Sequence, residues 1–317
     1  MKVLVPDSPL RGHLEPLPNG VELVALPAPD VEMVVLGPEF SELPTLFRQL
    51  SGLQVVQSLN AGVDRLLPLI PPGVMLCSAV GVHDASVSEW VVAAILAMRR
   101  RLPEFGELQR RAEWVRDMAK PDQFSIPPID DLEGKTVLVV GHGSIGRALA
   151  LRLAPFGARV IGVAQHAREG AEPPDALPRL LPDADVVVDL LPLTAETQKF
   201  VDAQFLAQMS PGALFVNAGR GGTVDTDALL DALRTGRIRA ALDVTEPEPL
   251  PADHPLWRAP NVLITPHIAG TVAHWESRAY RFAGEQIRRY AAGEPLLGVR
   301  PGNPPVGSHH PDQSIRR

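Results

Sequence analysis

The stretch Lys135-Thr136-Val137-Leu138-Val139-Val140-Gly141-His142-Gly143-Ser144-Ile145-Gly146-Arg147 decides the fold. The apolar run Lys135 to Val140 reads as a strand, the glycines as a turn, and the apolar-periodic segment Arg147 to Phe156 as a helix. Gly157 offers the positive φ that ends a helix, and Ala158 to Val163 reads as the next strand, so a complete βαβ unit surrounds the glycines. Each glycine has its own task. Gly141 makes the tight turn, Gly143 lets a pyrophosphate approach the backbone, and Gly146 lets the helix pack on the sheet. Ser144 and Ile145 lie in the turn on the dinucleotide side, and the helix N-terminus that follows faces the phosphate charge, so a dinucleotide is the expected ligand.

The whole chain sets the bounds. Its 317 residues suffice for two domains, and 45% apolar composition supports buried cores. The formal charge is −7 with lysines and arginines interspersed among acids, which argues against nucleic acid or an anionic membrane as partner. Cys77 is the single cysteine, inside the apolar run Val74 to Val80; it forms no internal disulfide, reads as a small buried hydrophobe and points to a reducing cytoplasm. The Met1-Lys2-Val3-Leu4-Val5 start is too short for a signal peptide, and no stretch approaches the roughly 20 apolar residues of a membrane span. No metal site is expected: His309 and His310 have no acidic or cysteine partner at ligand spacing.

Up to about residue 80, short β-like runs (Val3 to Pro6, Val21 to Leu26, Met33 to Leu36, Leu53 to Leu59, Val74 to Cys77) and one helix, Ser41 to Gln49, describe a small α/β unit. Val87 to Arg101 is a longer helix whose basic end (Arg99, Arg100, Arg101) reads as solvated and matched to the helix dipole, with Pro103 as its stop. Residues 104 to 130 read as an arm. Beyond the βαβ unit the alternation continues: strands Asp185 to Leu190, Ala213 to Asn217, Arg239 to Val244 and Val262 to Thr265, with helices Asp202 to Gln208 and Asp225 to Arg234. That alternation implies a parallel sheet covered on both faces. Val272 to Ala291 is a last long helix, and the tail Pro301 to Arg317 is expected to be disordered.

Three motifs follow predicted strands, where open parallel sheets bind ligands. In Asn217-Ala218-Gly219-Arg220-Gly221-Gly222, a guanidinium among small residues can pair bidentately with a carboxylate and polarise an adjacent carbonyl. Asp243-Val244-Thr245-Glu246-Pro247-Glu248-Pro249 supplies acids, and Pro266-His267-Ile268-Ala269-Gly270 places a histidine on a short loop, which a nearby glutamate can hold in one tautomer as an acid/base.

Together these motifs resemble the D-isomer-specific 2-hydroxyacid dehydrogenase family. Leu59-Asn60-Ala61-Gly62-Val63-Asp64 is similar to its substrate-carboxylate loop, Gly81 to Glu89 to its interdomain crossing, and Leu191-Pro192-Leu193-Thr194-Ala195-Glu196-Thr197 to its cofactor-side loop. The resemblance implies a Rossmann-type dinucleotide-binding domain, residues 84–266, and a smaller flavodoxin-like substrate domain from both chain ends, residues 1–83 and 267–300, with the site in the cleft between them. It implies catalysis by Arg220, Glu248 and His267, and substrate contacts from Ala61, Gly62, Arg220 and His267. Pro192, Thr197, Ala218, Asp243 and Gly270 join the glycine turn on the NAD(P) side. The implied reaction passes hydride between NAD(P)H and C2 of a small 2-oxo acid such as glyoxylate or hydroxypyruvate. A homodimer is also implied, formed along the arm from Glu104 to Pro128 that carries Trp114.

One departure concerns the cofactor. An acid for the ribose hydroxyls normally stands about 20 residues beyond the glycines, and Ala164 occupies that place. Gln165, His166 and Arg168 offer donors to a 2′-phosphate instead, so NADPH is expected to serve at least as well as NADH. Two rival functions are a dinucleotide-sensing, corepressor-like interaction protein and formate dehydrogenase; the latter branch carries Gln where Glu248 stands.

Overall fold

Apolar runs interrupted by proline and glycine become the first strands: β1 (Lys2–Leu4), β2 (Glu22–Val24), β3 (Val31–Leu36), β4 (Val55–Ser58) and β5 (Met75–Cys77), with helix α1 (Leu43–Gln49) between β3 and β4. The computed structural model describes residues 1–37, 42–114, 129–165 and 170–300. Next come α2 (Asp84–Arg99), α3 (Leu102–Arg110), β6 (Thr136–Val140), α4 (Ser144–Leu153), β7 (Arg159–Val163), β8 (Ala171–Glu172), α5 (Leu177–Leu180) and β9 (Val186–Asp189). The chain continues through α6 (Ala203–Gln208), β10 (Leu214–Asn217), α7 (Thr226–Arg234), β11 (Arg239–Leu242), β12 (Val262–Ile264), α8 (Trp275–Ala291) and β13 (Val299–Arg300). It divides into two units, Met1–Val82 with Ala273–Arg317, and His83–Val272.

In the first unit, five parallel strands run in the order β2-β1-β3-β4-β5, the flavodoxin-like order, and β13 closes the β5 edge antiparallel. Alternate residues face opposite sides. Val3, Met33, Val35 and Cys77 pack under Ala279, Tyr280, Ala283 and Ile287 of α8, while Leu4, Val34, Val56 and Leu76 pack with Leu46 and Phe47 of α1. Burial pushes the Cys77 thiol up to about 11, so it serves as packing.

The second unit has the sheet order β8-β7-β6-β9-β10-β11-β12, all parallel, with the reversal between β6 and β9. This is a doubly wound dinucleotide-binding topology, whose ligands lie beyond the carboxyl ends of the strands. Leu138, Val140, Val187 and Phe215 pack with α6 and α7 on one face; Val137, Val139, Val186 and Val188 pack with α2 and α4 on the other. Runs buried on both sides explain why these strands are continuously apolar rather than alternating.

Several expectations are corrected. Pro103 does not stop a helix: α2 ends at Arg99, Arg101 turns the chain at φ 56°, and Pro103 lies in the first turn of α3, where its fixed φ fits and no N–H is missed. Arg99 is not solvated. It is 3% exposed, donates from Nε to the Asp131 carbonyl and pairs with Asp130. The second unit runs to Val272, and within it N–H groups of His267, Ile268 and Ala269 all bind Asp243. The expected start of the first helix at Ser41, residues 115–128 of the arm and the expected disordered tail, residues 301–317, lie outside the described residues. Among those described, no helix is long and apolar enough to cross a membrane.

Helix α8 approaches the Pro9–Leu14 turn so closely that a Cβ on Gly284 would stand 2.3 Å from the Leu14 carbonyl oxygen. Gly284→Ala should therefore destabilise the protein by about 1–3 kcal/mol, outweighing the roughly 1 kcal/mol that alanine gains in a helix. An unchanged or raised melting temperature by calorimetry would contradict this packing.

Candidate active site

The glycine turn after β6 is built by backbone contacts. Gly141, at φ 91°, and His142 both donate N–H to the Val163 carbonyl, at 3.0 and 2.9 Å. A Cβ on Gly141 would lie 2.7 Å from the Leu190 carbonyl carbon, so the turn needs glycine for space as well as for φ. Gly143 is the opposite case: around its Cβ position the nearest atom, Gly141 O, is 4.0 Å away, and no side chain caps α4. An uncapped helix N-terminus beside open space fits a diphosphate. At Gly146 a Cβ would stand 3.2 Å from Val139 Cγ1, the close helix-to-strand packing assigned to the third glycine.

His142, an unusual residue for this turn, acquires a packing reason. Its side chain is 6% exposed, and a Cβ on Gly162 of β7 would sit 2.4 Å from its ring. The imidazole thus occupies space left by Gly162 and borders Gly146.

The histidine expected to serve as acid/base lies beyond β12. Nδ1 of His267 and Oε1 of Glu248 are 2.6 Å apart, with side-chain exposures of 47% and 28%, so the pair is formed yet open to a ligand. With Nδ1–H donating to the carboxylate, Nε2 is the nitrogen left for chemistry. The loop that carries the histidine hangs on Asp243, which is 2% exposed. Asp243 Oδ1 accepts from Thr265 Oγ1 at 2.6 Å and Ile268 N–H at 2.9 Å, Oδ2 accepts from Ala269 N–H at 2.8 Å, and its carbonyl accepts His267 N–H at 2.7 Å. The residue expected on the cofactor side also anchors the histidine loop.

Arg220 follows β10, the neighbour of β11. Its Nη1 donates to the Gly219 carbonyl at 2.8 Å, and its own carbonyl accepts Asn217 Nδ2 at 3.0 Å and Thr223 Oγ1 at 2.6 Å. A Cβ on Gly221 would lie 1.9 Å from Thr245 O, so the arginine loop and the acid loop touch through their backbones.

The other expected residues fall as follows. Thr197 Oγ1 donates to the Pro192 carbonyl at 2.6 Å and fixes the loop after β9. Ala218 donates N–H to the Asp189 carbonyl at 3.1 Å. Gly270 leaves room for His83, whose Nδ1 would stand 3.2 Å from a Cβ there. Ala164 is 6% exposed at the end of β7 and Gln165 beside it is exposed; His166 and Arg168 lie outside the described residues. Ala61 and Gly62 are on the turn after β4, at the carboxyl edge of the first unit's sheet. Sequence reasoning passed over Asp189, Thr223 and Asn217. The available signal was an acid ending the apolar run Val186-Val187-Val188.

Residues 92–269 match the family model for the D-isomer specific 2-hydroxyacid dehydrogenase, NAD binding domain. The chain is 37% identical over 250 residues to a glyoxylate/hydroxypyruvate reductase B of Citrobacter koseri, covering 76% of this chain and 75% of that protein. A D-isomer specific 2-hydroxyacid dehydrogenase from Xanthobacter autotrophicus, solved in complex with NADPH, superposes with TM-score 0.78 at 31% identity, covering 95% of this chain and 98% of the other. An NADPH-dependent glyoxylate/hydroxypyruvate reductase from Sinorhizobium meliloti, solved with NADP and sulfate, gives 0.77 at 32% identity, covering 94% and 97%.

The contact between His142 and Gly162 yields a double-mutant test. Gly162→Ala should lower stability by about 1–3 kcal/mol through overpacking, and adding His142→Ala should recover part of the loss because the ring it strikes is gone. Strict additivity in denaturant melts would show that the two residues do not share this space.

Proposed function

The chain belongs to the D-isomer specific 2-hydroxyacid dehydrogenase family, and we propose that it reduces a small 2-oxo acid of the glyoxylate or hydroxypyruvate kind to the D-2-hydroxy acid. The 2.6 Å pairing of His267 with Glu248 carries this reading. Glu248 fixes the imidazole through Nδ1. Nε2 then gives a proton to the C2 oxygen as negative charge develops there. Arg220 binds the substrate carboxylate and draws electron density from the C2 carbonyl. In oxidation the neutral histidine is the base. A bound nicotinamide supplies or takes the hydride.

The dinucleotide is held at the turn Gly141 to Gly146 and the N-terminus of α4, with the Pro192 to Thr197 loop beside them. Ala164 at the end of β7 places no carboxylate against a 2′-phosphate, and the two solved relatives named above hold NADPH or NADP. NADPH is therefore expected to serve at least as well as NADH. The lone, buried Cys77 suits a reducing compartment, and the cytoplasm is the proposed location. The exposure of Leu102 on α3, 55%, and of Trp114 beyond it, 82%, supports a homodimer along this arm.

A panel of 2-oxo acids assayed with NADPH and NADH in parallel tests the reaction. Turnover of glyoxylate or hydroxypyruvate is expected, whereas binding of dinucleotide without turnover of any acid would favour the sensing, corepressor-like rival. His267→Ala should lower kcat by a factor of about 10² to 10⁴ with dinucleotide affinity nearly unchanged. Glu248→Ala removes the acceptor that orients the imidazole, so kcat for reduction should fall at least about tenfold; an unchanged kcat would separate Glu248 from the proton transfer. Light scattering at micromolar concentration should report a dimer, and a monomer would reject that assignment.

A further inference from the structure

The apolar run Val186-Val187-Val188 ends in Asp189, whose residue is fully buried. Asp189 Oδ1 accepts the Leu191 N–H at 2.9 Å, and Oδ2 lies 2.6 Å from Thr223 Oγ1. The same Thr223 oxygen lies 2.6 Å from the carbonyl oxygen of Arg220. A threonine hydroxyl has one proton to give, and a peptide carbonyl has none. With Asp189 ionised, two acceptors would compete across two short contacts for a single hydrogen. A proton on Oδ2 resolves the conflict: Asp189 donates to Thr223 Oγ1, and Thr223 donates to the Arg220 carbonyl.

We propose that Asp189 is a protonated positioning residue that acts through Thr223 to fix the main chain at Arg220. The role rests on the assignment of Arg220 to the substrate carboxylate. Three further bonds hold the same loop: Asn217 Nδ2 to the Arg220 carbonyl at 3.0 Å, Gly219 N–H to Asn217 Oδ1 at 2.9 Å, and Ala218 N–H to the Asp189 carbonyl at 3.1 Å. Asp189 also reaches the dinucleotide side. The Leu190–Leu191 peptide, whose N–H it accepts, presses on Gly141 and on Gly219, at 2.9 and 3.0 Å from a Cβ on either. One side chain therefore ties the turn that meets the phosphates to the turn that aims the guanidinium.

Burial independently pushes the Asp189 carboxyl up to about 6, against the lowering effect of Thr223 and the Leu191 N–H. An unfolded aspartate titrates near 3.9. The folded protein thus holds the proton more tightly, and the stabilisation it gives is complete below the unfolded value and lost as pH rises through about 6.

The experiment compares Asp189→Ala, Asp189→Asn, Thr223→Val and Thr223→Ser for the KM of the 2-oxo acid and for dinucleotide affinity by fluorescence, both at about pH 5 where Asp189 holds its proton, and for melting temperature between about pH 5 and 8. Asp189→Ala and Thr223→Val break the donor chain and should raise that KM about tenfold; dinucleotide affinity should stay within about twofold for Thr223→Val, whereas Asp189→Ala, which also frees the Leu191 N–H, should weaken it. Asp189→Asn can accept from Leu191 with Oδ1 and donate to Thr223 with Nδ2, and Thr223→Ser keeps the hydroxyl, so both should recover most of the loss. Asparagine as damaging as alanine, or serine as damaging as valine, overturns the proposal. If Asp189→Ala fails to fold, the Thr223 pair still decides. Melting separates this inference from the assigned reaction, because it needs no substrate: wild type should lose stability relative to Asp189→Asn as pH rises, and parallel curves reject the proton even where no 2-oxo acid is turned over.

Discussion

Main-chain contact at the carboxyl edge of β6, β9, β10 and β11 sets where every reactive group can stand. The loops leaving these strands meet backbone to backbone: Gly141 against Leu190, Gly219 against Leu191, and Gly221 against Thr245, with Cβ positions 2.7, 2.7 and 1.9 Å from those neighbours. Carbon atoms in contact prefer about 3.5–4.0 Å, so a methyl group at any of the three would wedge the loops apart. The glycine fingerprint and the arginine motif are thus one packing problem, solved by glycines on both sides of the Leu190–Leu191 peptide. Mere glycine flexibility does not explain Gly219 or Gly221, which do not have positive φ.

Within that frame the histidine loop is held against its own backbone preference. His267 sits at φ 53°, a left-handed conformation that costs a non-glycine residue on the order of 1–3 kcal/mol. Asp243 offsets it. Its two carboxylate oxygens take three donors from Thr265, Ile268 and Ala269, and hydrogen bonds to a carboxylate each contribute about 1.5–3 kcal/mol. The strained geometry therefore lies within what this anchor can hold, and it directs Nδ1 to Glu248.

Much of this was legible in the sequence, for identifiable reasons. Parallel strands buried on both faces leave continuous apolar runs such as Val137 to Val140 and Leu214 to Val216, and these mark the strands of the second unit. The fingerprint glycines announce their turn because their spacing is local. What was missed depends on contacts distant in sequence or on elements too short for periodicity. Strand β8 has two residues and α5 four, below the length at which a period can be read. Arg99 reads as a solvated helix end until Asp130 arrives from the far side of the arm. His142 is accounted for only when β7 brings Gly162 beneath its ring. The hold of Asp243 on the histidine loop was not legible because two of its donors are backbone N–H groups, which no side-chain pattern reveals.

Two buried aspartates at the ends of β9 and β11, on either side of β10, show how local donor supply directs one side chain to different uses. Asp243 faces a loop that turns three donors toward it, and it serves as an acceptor throughout. Asp189 receives one N–H from Leu191 and otherwise meets a hydroxyl already directed to a carbonyl. A buried carboxyl short of donors is stabilised by becoming one. The difference follows from the loops themselves: the turn after β12 presents successive N–H groups at Ile268 and Ala269, whereas the turn after β10 presents the Arg220 carbonyl. The loop carrying the proposed acid/base group is thus anchored through an acceptor, and the loop carrying the proposed substrate-binding cation through a donor.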